Sequence, residues 1–379
     1  MTRFFGSITV SCAVLLLSAA TASGQASRTP WGDPDLQGSY TNSDESLIPM
    51  ERPDSHSGKS LKDNDAAELA KLNDQRNEHR VEADNQRWEL RSPLHWFENH
   101  NPKNSRAWLV VDPPDGKIPP QTEAAKARAA ARAQARRGRG DADSYEDRSL
   151  YDRCITRGLP GSMMPAIYGN SYAIVQGPGF VAIQYEMVNE LRVIPLDGRA
   201  HVGSTIRNYM GDARGHFDGD TLVVETTNFT DKVPYRGSSQ NLRLIERFTP
   251  RASGVVEWSV TFDDPDTWTR PWTFAMNLTK TTEPPFEYAC REGNYAMRNI
   301  LSIAREEEKA RGCVSTPNAQ GANSQTPCTW RTLGVGIGEL SFERPRRFAS
   351  SAFRTRDFSR RPRRARSIRA RWFRCARGH

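Results

Sequence analysis

The strongest constraint on the fold is a series of short apolar segments between residues 172 and 290, separated by Gly, Pro, Asn and Asp. Several segments alternate apolar and polar residues, which places the apolar side chains on one face of a β-sheet. Strands that follow one another across short turns favour an antiparallel meander. The sequence therefore predicts a mainly β fold, a meander that closes into a roughly eight-stranded barrel or a curved sheet, filled by side chains or holding one small ligand. The predicted strands are Tyr172–Gln176, Phe180–Met187, Leu191–Pro195, Thr221–Thr227, Leu242–Thr249, Val255–Phe262, Trp272–Lys280 and Phe286–Cys290.

Helices flank this sheet on both sides in the sequence. Residues 25–144 are predicted to form an N-terminal arm with helices, and residues 145–311 the barrel domain with its closing helix. That last helix has apolar residues at helical spacing, so we expect it to flank or plug the sheet. The predicted elements outside the sheet are a helix from Asp63 to about Leu90, a short strand Trp108–Val111, a helix capped by Thr122 that continues to Arg137, and the final helix Asn294–Arg311.

The N-terminus has the layout of a secretory signal peptide. Arg3 precedes an apolar run, Ile8 to Leu17, and small residues follow. The apolar run is too short for a comfortable membrane helix. We therefore expect residues 1–24 to be removed from a periplasmic or secreted protein that keeps no transmembrane segment. An uncleaved anchor is the alternative.

The basic charge of the chain is concentrated in its last residues. The formal net charge is +8, but residues 341–379 hold 14 Arg against Glu343 and Asp357, so this segment carries +12 and the rest of the chain −4. No lysine follows Lys309. Three interpretations of residues 312–379 stay open: a basic arm for nucleic acid or an anionic surface, a disordered tail, or an out-of-frame translation. The folded body is not expected to bind nucleic acid.

Two of the six cysteines are candidates for a disulfide. Cys12 lies in the predicted signal peptide, and the last three lie beyond residue 312. Cys154 and Cys290 bracket the predicted strands, and in an exported protein such a pair is most simply a disulfide. Closing so long a loop contributes roughly 4–5 kcal/mol in the chain-entropy model. A catalytic thiol at either position is the alternative, although neither has a base nearby in the sequence.

Five short motifs stand out along the chain: Asp35–Gly38, Trp108–Gly116, Cys154–Gly161, Gly211–Gly215 and Glu292–Met297. Together they resemble a family of exported bacterial proteins whose function is not established. The resemblance covers roughly residues 28–311 and ends near Gly312, and it implies export and one compact module but no catalytic residues. By strand count alone, the barrel also resembles lipocalin-like or calycin-like architectures.

The segment Tyr209–Asp220, predicted to be a loop, contains the first candidates for chemistry. His216 is the side chain whose ordinary pKa suits proton transfer near neutral pH. Asp212 could orient it, and Arg214 could hold an oxyanion or carboxylate. The alternative is a plain connection in which Asp218 to Asp220 form a tight hairpin turn. A metal site would need His201 with His216 and Asp212, but no metal-binding spacing supports it, so no metal or other cofactor is predicted.

Carboxylates within strands are the second set of candidates. Glu246 shares the apolar face of its predicted strand, and Glu225 lies in the strand before it. A carboxylate in such a place is either paired with an arginine or used by a site. Both therefore join His216 and Asp212 as candidate catalytic residues.

Aromatic residues and arginines complete the predicted site. Tyr185, Trp258 and Trp272 are expected mostly in the core, and in an open-ended barrel some would line an apolar pocket. With Arg214 and Arg236 they are the predicted ligand-binding residues. The favoured function is an exported barrel that binds a partly apolar or aromatic small molecule. The alternatives are a barrel enzyme that performs acid–base chemistry (a hydratase, isomerase or hydrolase) and a structural envelope protein. The sequence leaves the oligomeric state open.

Overall fold

The computed structural model describes residues 27–86, 98–99, 101–232, 234–251 and 254–310, all within one compact unit. The predicted signal peptide and the arginine-rich tail lie outside these residues. None of the described helices combines the length and apolar character that crossing a membrane requires.

Ten described strands form one antiparallel sheet. The strand order is β5-β4-β3-β1-β10-β9-β8-β7-β6, and β2 pairs with β10 beside this path. This confirms the predicted antiparallel meander, with two more strands than expected in the paired set. The strands are β1 (Gly38–Thr41), β2 (Val110–Asp112), β3 (Ser171–Gly177), β4 (Phe180–Tyr185), β5 (Leu191–Pro195), β6 (Asp212–Asp218), β7 (Thr221–Thr227), β8 (Arg243–Pro250), β9 (Val255–Asp263) and β10 (Trp272–Thr281).

The N-terminal arm supplies the strand that joins the two halves of the sheet. β1 lies between β3 and β10 and pairs antiparallel with both. The side chain of Tyr40 points inward and is 3% exposed. The sequence analysis did not predict this strand, because four residues in a turn-rich segment give too short a period to detect.

The two edge strands, β5 and β6, approach each other without hydrogen bonds between them, so the sheet curves but does not close as a hydrogen-bonded barrel. Gly215 on β6 allows the approach. A Cβ atom at this position would lie 2.8 Å from both Ile194 Cγ2 and Leu196 Cδ2. Side-chain packing over Gly215 therefore takes the place of backbone hydrogen bonds along the seam between β5 and β6.

Aromatic side chains fill the inside of the curved sheet. Trp258, Trp272 and Phe274 are fully buried. Phe262 and Trp272 stack with ring centroids 4.2 Å apart and an angle of 4° between their planes. Because large buried aromatic side chains occupy the interior, the inner face is a packed core.

Three α-helices flank the sheet: α1 (Ala66–Gln86), α2 (Glu123–Ala135) and α3 (Ala296–Ala310). All three were predicted, and Thr122 caps α2 as expected, since its side chain accepts a hydrogen bond from the Ala125 amide. In α3, no side chain is buried, and Arg305 donates to the main-chain oxygens of Ala142 and Asp143. The helix therefore flanks the sheet and does not plug it.

Two segments differ from their predicted structure. Tyr209–Asp220, predicted to be a loop, contains strand β6, whose inward side is formed by Ala213, Gly215 and the partly buried Phe217. Two of these three residues are small and give little hydrophobic signal, which explains the error. Phe286–Cys290, predicted to be a strand, makes only an isolated bridge between Tyr288 and Met187. The predicted disulfide between Cys154 and Cys290 is present, with Cα atoms 6.0 Å apart.

Candidate functional site

Glu246 lies inside the sheet as one half of a buried ion pair. Its Oε2 is 2.5 Å from Arg192 Nη2, and its Oε1 accepts a hydrogen bond from Trp258 Nε1 at 3.1 Å. The side chains of Glu246 and Arg192 are 0% and 4% exposed. Burial raises the pKa of the neighbouring Tyr185 hydroxyl. The inner-face carboxylate predicted from the strand pattern is thus paired with an arginine within the core.

Asp212 and Glu225 lie on the outer face, in an ion-pair cluster around His201. His201 Nδ1 is 2.9 Å from Asp212 Oδ2, and Nε2 is 3.4 Å from Glu225 Oε1. Burial would raise the pKa of Asp212, but hydrogen bonds from the Val202 amide, His201 and Arg214 lower it. A hydrogen bond from Arg243 lowers the pKa of Glu225. Both ring nitrogens of His201 therefore face carboxylates whose own pKa values are lowered.

His216 is exposed on the outer face of β6, where its register partner is Val223. Arg214 is on the same face, and it donates to Asp212 at 2.7 Å and to the main-chain oxygen of Ala200. The structure thus separates Glu246 from His216, Asp212 and Glu225 by the thickness of the sheet. These four predicted catalytic residues do not converge on one cavity.

A cavity of about 860 Å³ opens at one end of the sheet. At this end β1, β4, β7 and β9 finish and their antiparallel neighbours begin. The walls come from the connections at this end: residues within 48–50 and 149–168, residues 232 and 234–236, and Leu109 and Met187. We call it the loop-end cavity.

The lining of the loop-end cavity is largely apolar, with three tyrosines and three cationic side chains. Isoleucine, leucine and methionine supply most of the apolar wall. Among its described lining residues there is no Asp or Glu. The tyrosines are Tyr151, Tyr168 and Tyr235, and the cations are Arg157, Lys232 and Arg236.

Arg157 is held against an aromatic ring at this cavity. Its guanidinium carbon lies 5.4 Å from the ring centroid of Tyr151, within cation–π range. Its Nη1 atom is buried and has no hydrogen-bond partner among the described residues. Burial raises the pKa of Tyr172, and the charge of nearby Arg157 acts in the opposite direction. Arg157 therefore lines the cavity with a guanidinium of which one buried donor is unpartnered among the described residues.

The disulfide fixes the tyrosines beside this cavity. Tyr288, two residues before Cys290, has its hydroxyl oxygen 3.4 Å from that of Tyr168. The rings of Tyr168 and Tyr288 are 5.7 Å apart, and Tyr151 is three residues before Cys154. The bond between Cys154 and Cys290 thus ties the segment that carries Tyr288 to the segment that carries Tyr151.

Of the predicted ligand-binding residues, Arg236 lines the loop-end cavity, and its backbone adopts a left-handed conformation with φ 52°. Tyr185, Trp258 and Trp272 are core residues with 0% exposure. The sequence analysis missed Arg157, although it noted the motif Cys154–Gly161 that contains it. The sequence signal that could have identified Arg157 is a cationic residue in a segment rich in glycine and proline.

Comparisons with known proteins give no family: no family model matches this chain, and no curated protein matches it. A solved structure of an abundant heat soluble (SAHS) protein from Ramazzottius varieornatus aligns with 35% of this chain and 87% of its own, at 15% identity and a TM-score of 0.22. Two mutants of the fluorescent protein UnaG align with 30% and 35% of this chain and 72% and 87% of theirs, both at 14% identity, with TM-scores of 0.19 and 0.20. The function proposed below rests on this chain's own residues.

Proposed function

We propose that this protein is exported and binds a small, partly apolar or aromatic molecule in the loop-end cavity. The observation that carries the proposal is the cavity itself, with a volume of about 860 Å³. Small-molecule sites typically have about 300–1,000 Å³ of volume, mostly apolar walls and a few polar groups that orient the ligand. The loop-end cavity has this size and this composition.

The curved sheet is a rigid base for such a site. Its interior is packed with aromatic side chains and leaves the ligand to the loops at the end of the sheet. A disulfide links two of the segments beside the cavity. Disulfides form and persist in oxidising compartments, which supports the export that we propose.

The enzyme hypothesis has less support from the geometry. None of His216, Asp212, Glu225 and Glu246 lines the loop-end cavity. Their roles in acid–base chemistry stay predictions, and so does the hypothesis of a structural envelope protein.

The test fills the cavity. Gly161 lines it, and a Cβ atom added there meets nothing within 4 Å, so Gly161→Phe places a ring in the ligand space. Gly203 is the matched control: it is exposed, does not line the cavity and has equal room for a Cβ atom. Binding of the neutral fluorescent probe N-phenylnaphthylamine is measured by titration in the purified chain and both variants.

We expect saturable binding to the unmodified protein and to Gly203→Phe, and an affinity at least about tenfold lower in Gly161→Phe, since a filled pocket loses most of its apolar contact. Absence of saturable binding to the unmodified protein would exclude this function for the cavity. Equal binding by Gly161→Phe would place the probe elsewhere and also reject the proposal.

A further inference from the structure

We propose that the ligand of the loop-end cavity is an anion, with an aromatic carboxylate as the class that fits best, and that Arg157 binds its charged group. This inference rests on the proposed function, because it specifies the ligand of the same cavity.

The charge of the lining points to an anion. Arg157, Lys232 and Arg236 contribute three positive charges, and no carboxylate is among the described lining residues. The surrounding protein is not cationic, since the chain without its residues 341–379 has a formal charge of −4. Three cations at one largely apolar cavity repel one another, and an anionic ligand would reduce that repulsion.

One carboxylate lies close behind the cavity wall. Glu190 accepts a hydrogen bond from Thr156, a lining residue, at 2.8 Å. Burial raises the pKa of Glu190, which favours its neutral form. Thr156 is the residue before Arg157 in the sequence, and the acid that it contacts already accepts a hydrogen bond.

Arg157 is a lining cation with an unsatisfied donor. Its buried Nη1 is unpartnered among the described residues, and leaving a guanidinium donor unsatisfied is costly. The ring of Tyr151, 5.4 Å away, restrains its side chain. A planar guanidinium with a free donor binds carboxylates in preference to neutral groups, because such hydrogen bonds are charge-assisted.

The tyrosines favour an aromatic body for this anion. Tyr151, Tyr168 and Tyr235 present three rings to one cavity. Tyr235 is itself stacked on the core ring of Phe262, with centroids 5.5 Å apart, so its orientation is fixed before a ligand binds. Pre-oriented rings bind a flat ligand with little loss of side-chain entropy.

The experiment compares two ligands that share a naphthalene ring system, one with an anionic and one with a neutral polar group. Naphthoate and naphthalenemethanol each displace N-phenylnaphthylamine from the full chain, from Arg157→Gln, and from the control Arg270→Gln. Arg270 is 53% exposed, pairs with Asp112 at the surface and does not line the cavity.

In the unmodified protein we expect naphthoate to bind about tenfold or more tightly than naphthalenemethanol, with the preference reduced by salt. Arg157→Gln should lose most of this preference while retaining the neutral ligand, and Arg270→Gln should keep it. Equal affinity for the two ligands in the unmodified protein would overturn the inference, as would a full preference in folded Arg157→Gln. The comparison in the unmodified protein needs no variant, so misfolding of Arg157→Gln would not prevent the test.

The two proposals fail differently. If the neutral probe does not bind the cavity, the proposed function is rejected and the ligand class with it. If the probe binds and Gly161→Phe blocks it, but charge has no effect on affinity, only the anionic class is rejected.

Discussion

Replacing Glu246 with glutamine is expected to destabilise the protein by about 3–5 kcal/mol, because it leaves the buried guanidinium of Arg192 without its counter-charge. The ion pair is 2.5 Å long, and its two side chains are 4% and 0% exposed. Arg192 Nε and Nη1 are already buried without partners among the described residues, and the nearby hydroxyl of Tyr185 is neutral, so it does not replace the lost counter-charge. In addition, Arg192 and Trp258 would compete for the single amide oxygen of the glutamine, and one unsatisfied donor costs about 1–3 kcal/mol.

Glu225→Gln is the matched control. Glu225 is also a strand carboxylate that pairs with an arginine, Arg243, but these side chains are 35% and 46% exposed. An exposed pair of this kind contributes about 0–1 kcal/mol, so the control should unfold almost as the unmodified protein does.

A double variant distinguishes the cost of an unpaired buried charge from the cost of losing the ion pair itself. Replacing both partners, with Arg192→Met and Glu246→Leu, removes the unpaired charge and should cost less than Glu246→Gln alone. The assay is urea unfolding with the disulfide intact, compared through midpoints at a constant m value. The reasoning is refuted if the free energy of unfolding of Glu246→Gln lies within about 1 kcal/mol of that of the unmodified protein. It is also refuted if the destabilisation of the double variant equals the sum of those measured for Arg192→Met alone and Glu246→Leu alone.

Three further predictions concern stability. Replacing Cys154 and Cys290 with serine removes a cross-link between residues 136 apart in sequence, which should cost about 5 kcal/mol in urea unfolding; a loss below about 1 kcal/mol would contradict the entropic argument. The hydrogen bond from Arg139 lowers the pKa of Asp147 from 3.8 to about 2. This carboxylate therefore stabilises the fold above pH of about 4, and the contribution is lost as pH falls towards about 2. Asp147→Asn should thus be less stable than the unmodified protein at neutral pH, with a difference in melting temperature that shrinks on acidification; a constant difference would reject this assignment. Gly215→Ala should cost about 1–3 kcal/mol, because its methyl group would push the two edge strands apart, and a midpoint unchanged in urea would show that the seam adjusts freely.

Alternation and composition along the chain determined most of the sheet. The limits predicted for β5 and β7 are those observed, and the shared apolar face of Glu246 was evident from its strand. The cap at Thr122 depends on neighbouring residues alone, so it too was predictable. The pairing of Cys154 with Cys290 followed by elimination from the six cysteines. Each of these features depends on local periodicity or on a short list of alternatives.

Tertiary structure decided the candidate site. The loop-end cavity joins residues as distant as Ile48 and Arg236, and nothing in a local period shows that such connections meet at one end of a sheet. Strand β6 was not predicted because two of its three inward residues, Ala213 and Gly215, are small, so His216 was assigned to a loop and not to an outer face. The burial of side chains follows a period that can be read along the sequence. A cavity depends instead on the order in which strands pair, and β1 from the N-terminal arm determines this order because it lies between β3 and β10.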